Sequence, residues 1–181
     1  MSPATDGGRA MDEKPHISIE MLSQPRYLSG VRTLTAAVAE RLGFDDSSCG
    51  QIALAVDEAL CNVIRHGYER SPNGVIWIKV WPVDDQAGEH CEGAALDAPL
   101  DQHRPRAGGI KVVIEDMALQ VDPEIIKPRD LEEVRPGGLG VHIMREVMDE
   151  VRYEHRAPGE TGESGRGMRL TMIKRRSSDE A

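Results

Sequence analysis

Gln51–Tyr68 reads QIALAVDEALCNVIRHGY, and the rest of the chain is organised around this stretch. Ile52, Val56, Ala59, Leu60 and Val63 recur at the three-to-four-residue interval of an amphipathic helix, which predicts one buried face. Glu58, Asn62 and His66 are each four apart and predict a polar line along a second face. Such a line is ordinarily the solvated side of a helix. A carboxylate and a carboxamide one turn apart can also serve one ligand, since the first accepts a proton and the second offers an oxygen to a hard cation. What the remaining chain brings to this helix decides between the two.

The chain has 181 residues, which fits one domain with a sizeable core. With 39% hydrophobic and 29% charged residues it falls among globular proteins, and at 3% aromatic content the core must be built mainly from aliphatic side chains. A formal net charge of -9 gives no general electrostatic reason to hold phosphate backbones, which argues against nucleic acid as a partner but permits a local pocket for one nucleotide. No run approaches the roughly 18 apolar residues of a membrane helix. The opening MSPATDGGRAMDEKP lacks the apolar core of a signal peptide, so the expectation is a cytoplasmic protein without a membrane partner. Cys49, Cys61 and Cys91 form an odd set without metal-like spacing, and Cys61, inside the helix, reads as a small buried thiol.

Outward from the helix, residues 1–14 read as a polar tail, and His16 to Met21 alternates as a strand. Pro25 opens a helix whose stripe is Leu28, Val31, Leu34, Val38 and Leu42, with Gly43 as its stop. Asp45, Asp46, Ser47 and Ser48 offer caps for the central helix. Beyond the ERSPNG turn, Gly74 to Pro82 (GVIWIKVWP) is the clearest strand. Residues 84–109 lose all periodicity and read as an insertion between hairpin partners, since Ile110 to Asp116 (IKVVIED) is again a strand. His90, Cys91 and His103 fall in that insertion and read as scattered loop side chains.

Three prolines and mixed charge make 121–138 a surface loop. The glycine-rich PGGLG then leads into a helix carrying Val141, Met144, Val147 and Met148. Glycines directly before a helix leave backbone N–H groups facing an anion at the positive end of the dipole. Two strands, Val151 to His155 and Met168 to Lys174, close the chain before a tail at 176–181. Helices are too few and too clustered for a doubly wound sheet. The element order predicts an α/β two-layer sandwich: a mixed, mostly antiparallel sheet with helices on one face.

Three separated pieces converge: E-x-x-x-N at Glu58 and Asn62 within DEALCNVIRHGY, a strand ending in Asp116 within VVIEDMALQVDP, and GGLGVHIMREVMDEVRYE. In this order they resemble the GHKL ATPase superfamily, and most closely the small anti-sigma factor serine kinases of bacteria. The resemblance covers about residues 16–175, outside the tails and the insertion. It implies a Bergerat-type ATP-binding fold, a histidine kinase-like ATPase domain over 15–175, and use of ATP with Mg2+. It further implies Glu58 as the base for the attacking hydroxyl, Asn62 as the Mg2+ ligand, and Asp116 as acceptor of the adenine amino group. Ala118 would line the base site beside it. Gly137, Gly138, Leu139 and Gly140 would cradle phosphates, 121–137 would form the ATP lid, and Thr171 would lie near the adenine aspartate. The implied partners are a sigma factor and a STAS-domain anti-anti-sigma factor, whose serine would be phosphorylated, together with a second copy of the chain in a homodimer.

One departure stands out. Where the family shows D-x-G-x-G after the adenine aspartate, this chain has Ala118 and Gln120. Alanine adds one methyl, whereas glutamine demands ordinary backbone angles and adds bulk. The alternative these positions motivate is a non-catalytic or weakly ATP-binding, partner-binding regulator of the same fold.

Overall fold

In the computed structural model, which describes residues 14–83, 108–118, 122, 139–156 and 167–177, the chain begins with β1 (Ile17–Leu22) and a 3-10 turn at Pro25–Tyr27. There follow α1 (Leu28–Leu42), α2 (Asp46–Asn62), a π turn at Val63–Gly67, β2 (Val75–Val83) and β3 (Gly109–Asp116). The last described elements are α3 (Leu139–Val147), β4 (Glu150–His155) and β5 (Met168–Arg175). Most of the expected tails, the 84–109 insertion and the 121–137 lid fall outside these residues.

The strands form one sheet in the order β1-β2-β3-β5-β4, and every described pairing is antiparallel. Side chains alternate along each strand, so paired residues form rows across the sheet. The row Ile19–Ile78–Ile114–Leu170–Tyr153 packs into the core shared with the three helices. The next row, Glu20–Trp77–Glu115–Arg169–Glu154, points to the opposite face. Helices on one face of an antiparallel sheet make the expected two-layer α/β sandwich.

The central helix α2 packs against both α1 and α3. Its Ile52, Ala55, Val56, Ala59 and Leu60 are all buried in the core. Each large aliphatic side chain so buried contributes about 1.5–3 kcal/mol, more than helix propensity supplies to a segment containing Gly50, Val56 and Asn62. The start is set by Asp45, whose carboxylate accepts from Ser48 N at 2.6 Å as a helix cap. That bond holds the Asp45 carboxyl below its ordinary range.

Three local expectations are corrected. The α register of the central helix stops at Asn62, and a π turn follows, closed by Tyr68 N donating to Val63 O at 2.9 Å. His66 therefore does not continue the Glu58–Asn62 line, and it is exposed. In α1 the buried positions are Val31, Thr35 and Ala39, while Leu34 is 40% exposed. A polar residue can take the inner position because the Thr35 hydroxyl donates to Val31 O at 2.9 Å. Cys61 is half-buried; burial pushes its thiol pKa up, Asp57 and Glu58 add to that, and Arg65 opposes it. Of the two described cysteines, the buried one is Cys49.

Candidate active site

Glu58 and Asn62 sit one turn apart near the C-terminal end of α2, both half-buried. Neither side chain makes a hydrogen bond or ion pair among the described residues. Both are partly exposed, so their polar ends are accessible to a ligand. The opposing wall is the first turn of α3. A Cβ on Gly140 would lie 2.5 Å from Glu58 Oε2 and 3.5 Å from Asn62 Nδ2, so glycine here lets the Glu58 carboxylate keep its place against α3. Leu139 beside it is 59% exposed, so its backbone rather than its side chain is what it can offer. Gly137 and Gly138 lie outside the described residues, as does Gln120.

The second half of the site is the turn that follows β3. Asp116 is 4% exposed, and its Oδ1 accepts from Ala118 N at 2.9 Å and from Met168 N at 3.3 Å. Oδ2 takes no hydrogen bond among the described residues and can accept a donor from a ligand. Burial raises the Asp116 pKa; the two N–H bonds and the charge of Arg156 oppose the rise, and Glu115 adds to it. A ligand N–H on Oδ2 would relieve that penalty on the ionised form.

Ala118 fits this turn without strain. Its φ is not positive, so the backbone here does not require glycine. Its methyl lies beside Gly67, where an added Cβ would come within 3.1 Å of Ala118 Cβ. The missing side chain of Gly67 thus makes space for the methyl that the sequence pattern did not lead one to expect. The Ala118 carbonyl accepts from Gly167 N at 3.0 Å. Gly167 has φ 99, and a Cβ there would run into the Asp116 carbonyl, so that position does require glycine.

Thr171 is not brought to Asp116. It pairs with Val113, and strand alternation turns it to the sheet face away from the helices. The residue opposite the aspartate on β5 is Met168, which supplies its backbone N–H. The threonine that the resemblance placed near the aspartate lies three positions further along β5 than the residue that meets it.

Residues that sequence reasoning left without a role hold the site in place. The Tyr68 hydroxyl donates to Val75 O at 2.6 Å and accepts from Met117 N at 2.8 Å; burial raises its pKa. Arg156, 6% exposed, donates through Nη1 to Asp116 O at 3.3 Å and stacks 4.8 Å above the Trp77 ring. Its Nη2 is 3.9 Å from Glu115 Oε2. Glu115 is itself 1% exposed, between Lys79 Nζ at 2.9 Å and Arg169 Nε at 2.7 Å. Burial raises its pKa, but the bonds and charges of Lys79 and Arg169 prevail and hold it below the ordinary carboxylate range. A signal did exist: Glu115 precedes Asp116 on a strand and so must point to the other face, where Lys79 and Arg169 flank it.

Among the described residues no group of three or more His, Cys, Asp and Glu is placed to hold a metal, and His90, Cys91 and His103 lie outside them. Mg2+ is usually held by one or two protein oxygens with phosphate and water completing its shell. The uncommitted carboxamide of Asn62 beside Gly140 fits that requirement, and the open carboxylate oxygen of Asp116 fits an adenine amino group. No helix of the described residues is long and apolar enough to cross a membrane.

Comparison with known proteins shows which family the fold belongs to. The serine-protein kinase RsbW of Bacillus subtilis (strain 168) is 25% identical over 142 residues, covering 77% of this chain and 78% of that one. The protein of the same name from Oceanobacillus iheyensis is 26% identical over 153 residues, covering 80% and 82%. That from Listeria monocytogenes (strain ATCC BAA-679 / EGD-e) is 24% identical over 136 residues, covering 75% and 77%. The profile of the histidine kinase-like ATPase domain matches residues 21–174, from β1 to β5 and across both halves of the site. A match of that extent settles the classification: this chain belongs to the histidine kinase-like ATPase domain family.

Proposed function

We propose that this protein is an ATP-dependent serine protein kinase that acts as an anti-sigma factor and phosphorylates a STAS-domain anti-anti-sigma partner. The observation that carries it is the uncommitted Glu58–Asn62 pair facing Gly140, on a helix whose end is tied to the Asp116 turn. The serine-protein kinase relatives support the same activity.

In this mechanism Glu58 accepts the proton of the partner's serine hydroxyl as its oxygen bonds to the γ-phosphorus and the bond to the ADP oxygen breaks. Asn62 would hold Mg2+ through its carboxamide oxygen, and the ion would supply charge neutralisation for the phosphates. Asp116 accepts the adenine amino group on Oδ2, with Ala118 as the adjoining wall. The resemblance assigns the phosphates to the backbone N–H groups of Gly137, Gly138, Leu139 and Gly140, of which Leu139 and Gly140 open α3. Phosphoryl transfer needs mainly positioning and charge, so no covalent protein intermediate is invoked.

Partner exchange follows. The chain holds a sigma factor as a cytoplasmic homodimer until the unphosphorylated STAS protein displaces it, and phosphorylation of that protein reverses the exchange. The net charge of -9 accords with control of transcription without contact to DNA. The test is incubation with Mg-ATP and a STAS protein encoded beside this one, read by mass spectrometry. Phosphoserine on the STAS protein is expected. ATP binding without any phosphoserine would instead identify a non-catalytic regulator.

A further inference from the structure

We propose that Tyr68 is a positioning residue for base recognition, fastening the Asp116–Ala118 turn to the helix that carries Glu58 and Asn62. This rests on the nucleotide site proposed above. The peptide linking Asp116 to Met117 is held at both ends: its N–H donates to the Tyr68 hydroxyl at 2.8 Å, and its carbonyl accepts from Arg156 Nη1 at 3.3 Å. Pinning that peptide plane fixes the backbone from which the Asp116 carboxylate projects. The same tyrosine hydroxyl donates to Val75 O at 2.6 Å, so it joins the start of β2 to the end of β3.

Tyr68 is itself unusually constrained. It follows directly on the π turn, a widened turn that re-aims whatever comes after it. Its ring lies against Gly74, where a Cβ would collide with the ring carbons. The next two residues, Glu69 at φ 49 and Arg70 at φ 66, are the described non-glycine residues in the left-handed region. Arg70 N donates to Ile64 O at 2.8 Å, and Ser71 N to Tyr68 O at 2.7 Å, which locks the reversal. Ser23, fully buried, closes it: its hydroxyl donates to Ser71 O at 2.5 Å and accepts from Gly74 N at 2.9 Å. Strained backbone of this kind persists where surrounding contacts over-determine it. Here the outcome is one phenol placed between the two halves of the site.

Tyr68→Phe keeps the ring on Gly74 and removes the hydroxyl. Calorimetry of Mg-ATP and Mg-ITP binding to wild type and variant is the test, because inosine lacks the 6-amino group that Asp116 would read. ATP binding should weaken by about tenfold, while ITP binding changes by less than about twofold, so the preference for ATP collapses. The loss should fall on KM for ATP and spare kcat at saturation. Equal weakening of both nucleotides, or no change in either, would overturn the positioning role while leaving the nucleotide site intact. A wild type that binds neither nucleotide would overturn the site itself and this inference with it. Amide exchange in wild type gives a test independent of the variant's folding: the Met117 N–H should be protected before nucleotide is added, and exchange at an unprotected loop rate would overturn the inference.

Discussion

Replacing Gly140 by alanine places a methyl carbon 2.5 Å from Glu58 Oε2 and 3.5 Å from Asn62 Nδ2. Non-bonded carbon and oxygen atoms settle near 3.5 Å, so the carboxylate must retreat by roughly 1 Å while Asn62 can stay where it is. The retreat is easy for folding, because Oε2 is the far end of a flexible side chain. It is costly for a base, since a misplacement of about 1 Å can reduce a rate about a hundredfold, or ~2.7 kcal/mol of barrier. Alanine also prefers a helix over glycine by about 0.5–1 kcal/mol, which acts in the opposite direction on stability. The two readouts should therefore separate. Thermal denaturation of Gly140→Ala should show an unchanged or raised Tm, and single-turnover phosphoryl transfer from Mg-ATP should slow by about two orders of magnitude. A variant that transfers phosphate at the wild-type rate would refute the placement of Glu58 against α3 as the working geometry. One that loses stability and rate together would mean that Gly140 is needed for folding rather than for the base.

Asp116→Asn should raise stability at neutral pH in the absence of nucleotide while removing the preference for adenine. The carboxyl's folded-state pKa is raised by burial, so its protonated form contributes stability that is present below the ordinary carboxylate value and lost as pH rises through the folded one. Urea titrations should accordingly show the gap between variant and wild type closing as pH falls through that window, and an asparagine variant less stable at neutral pH would contradict this. Arg156→Met removes a buried cation from Glu115, Trp77 and the Asp116 carbonyl. Glu115 keeps Lys79 and Arg169, so the expected loss by chemical denaturation is about 2–3 kcal/mol, and a loss within error of zero would mean the network carries no stability. Gly67→Ala should weaken ATP binding because its Cβ would press on Ala118 Cβ at 3.1 Å, and adding Ala118→Gly should restore it. A double-mutant cycle with coupling below about 0.5 kcal/mol would show that the two positions do not share space.

Much of this molecule could be read from residue order, for identifiable reasons. The α2 stripe, the β-branched run of β2 and the aspartate that ends β3 are local patterns, and local patterns report elements directly. The Glu58–Asn62 pair is legible because both lie on one continuous α turn. His66 is not, because the π turn breaks the period between Asn62 and Gly67 and no residue type announces it. Leu34 was expected inside because apolar spacing carries no information on which face meets a neighbour; Thr35 sits there once its hydroxyl finds Val31 O.

The site's supports were hidden for a different reason. Tyr68 and Met117, or Arg156 and Asp116, meet only after the sheet has assembled, and their contacts are long-range pairings set by strand register. Thr171, placed near the aspartate by resemblance, shows how much depends on register: an odd shift along β5 moves a side chain from one face of the sheet to the other. The accommodation of Ala118 by Gly67 belongs to the same class. An alanine in a glycine position looks like a defect until the residue opposite is seen to lack a side chain.

If Glu58 takes the proton from the partner's serine while Asn62 and Asp116 hold the nucleotide, removing the carboxylate must stop transfer and spare binding. The decisive measurement is single-turnover transfer from Mg-ATP to the cognate STAS protein by wild type and Glu58→Ala, with nucleotide affinity measured on the same preparations. Wild type should yield phosphoserine and Glu58→Ala none, with ATP affinity equal within about threefold, since a base that acts only in the transfer step adds little to ground-state binding. Equal phosphoserine from both proteins would contradict it.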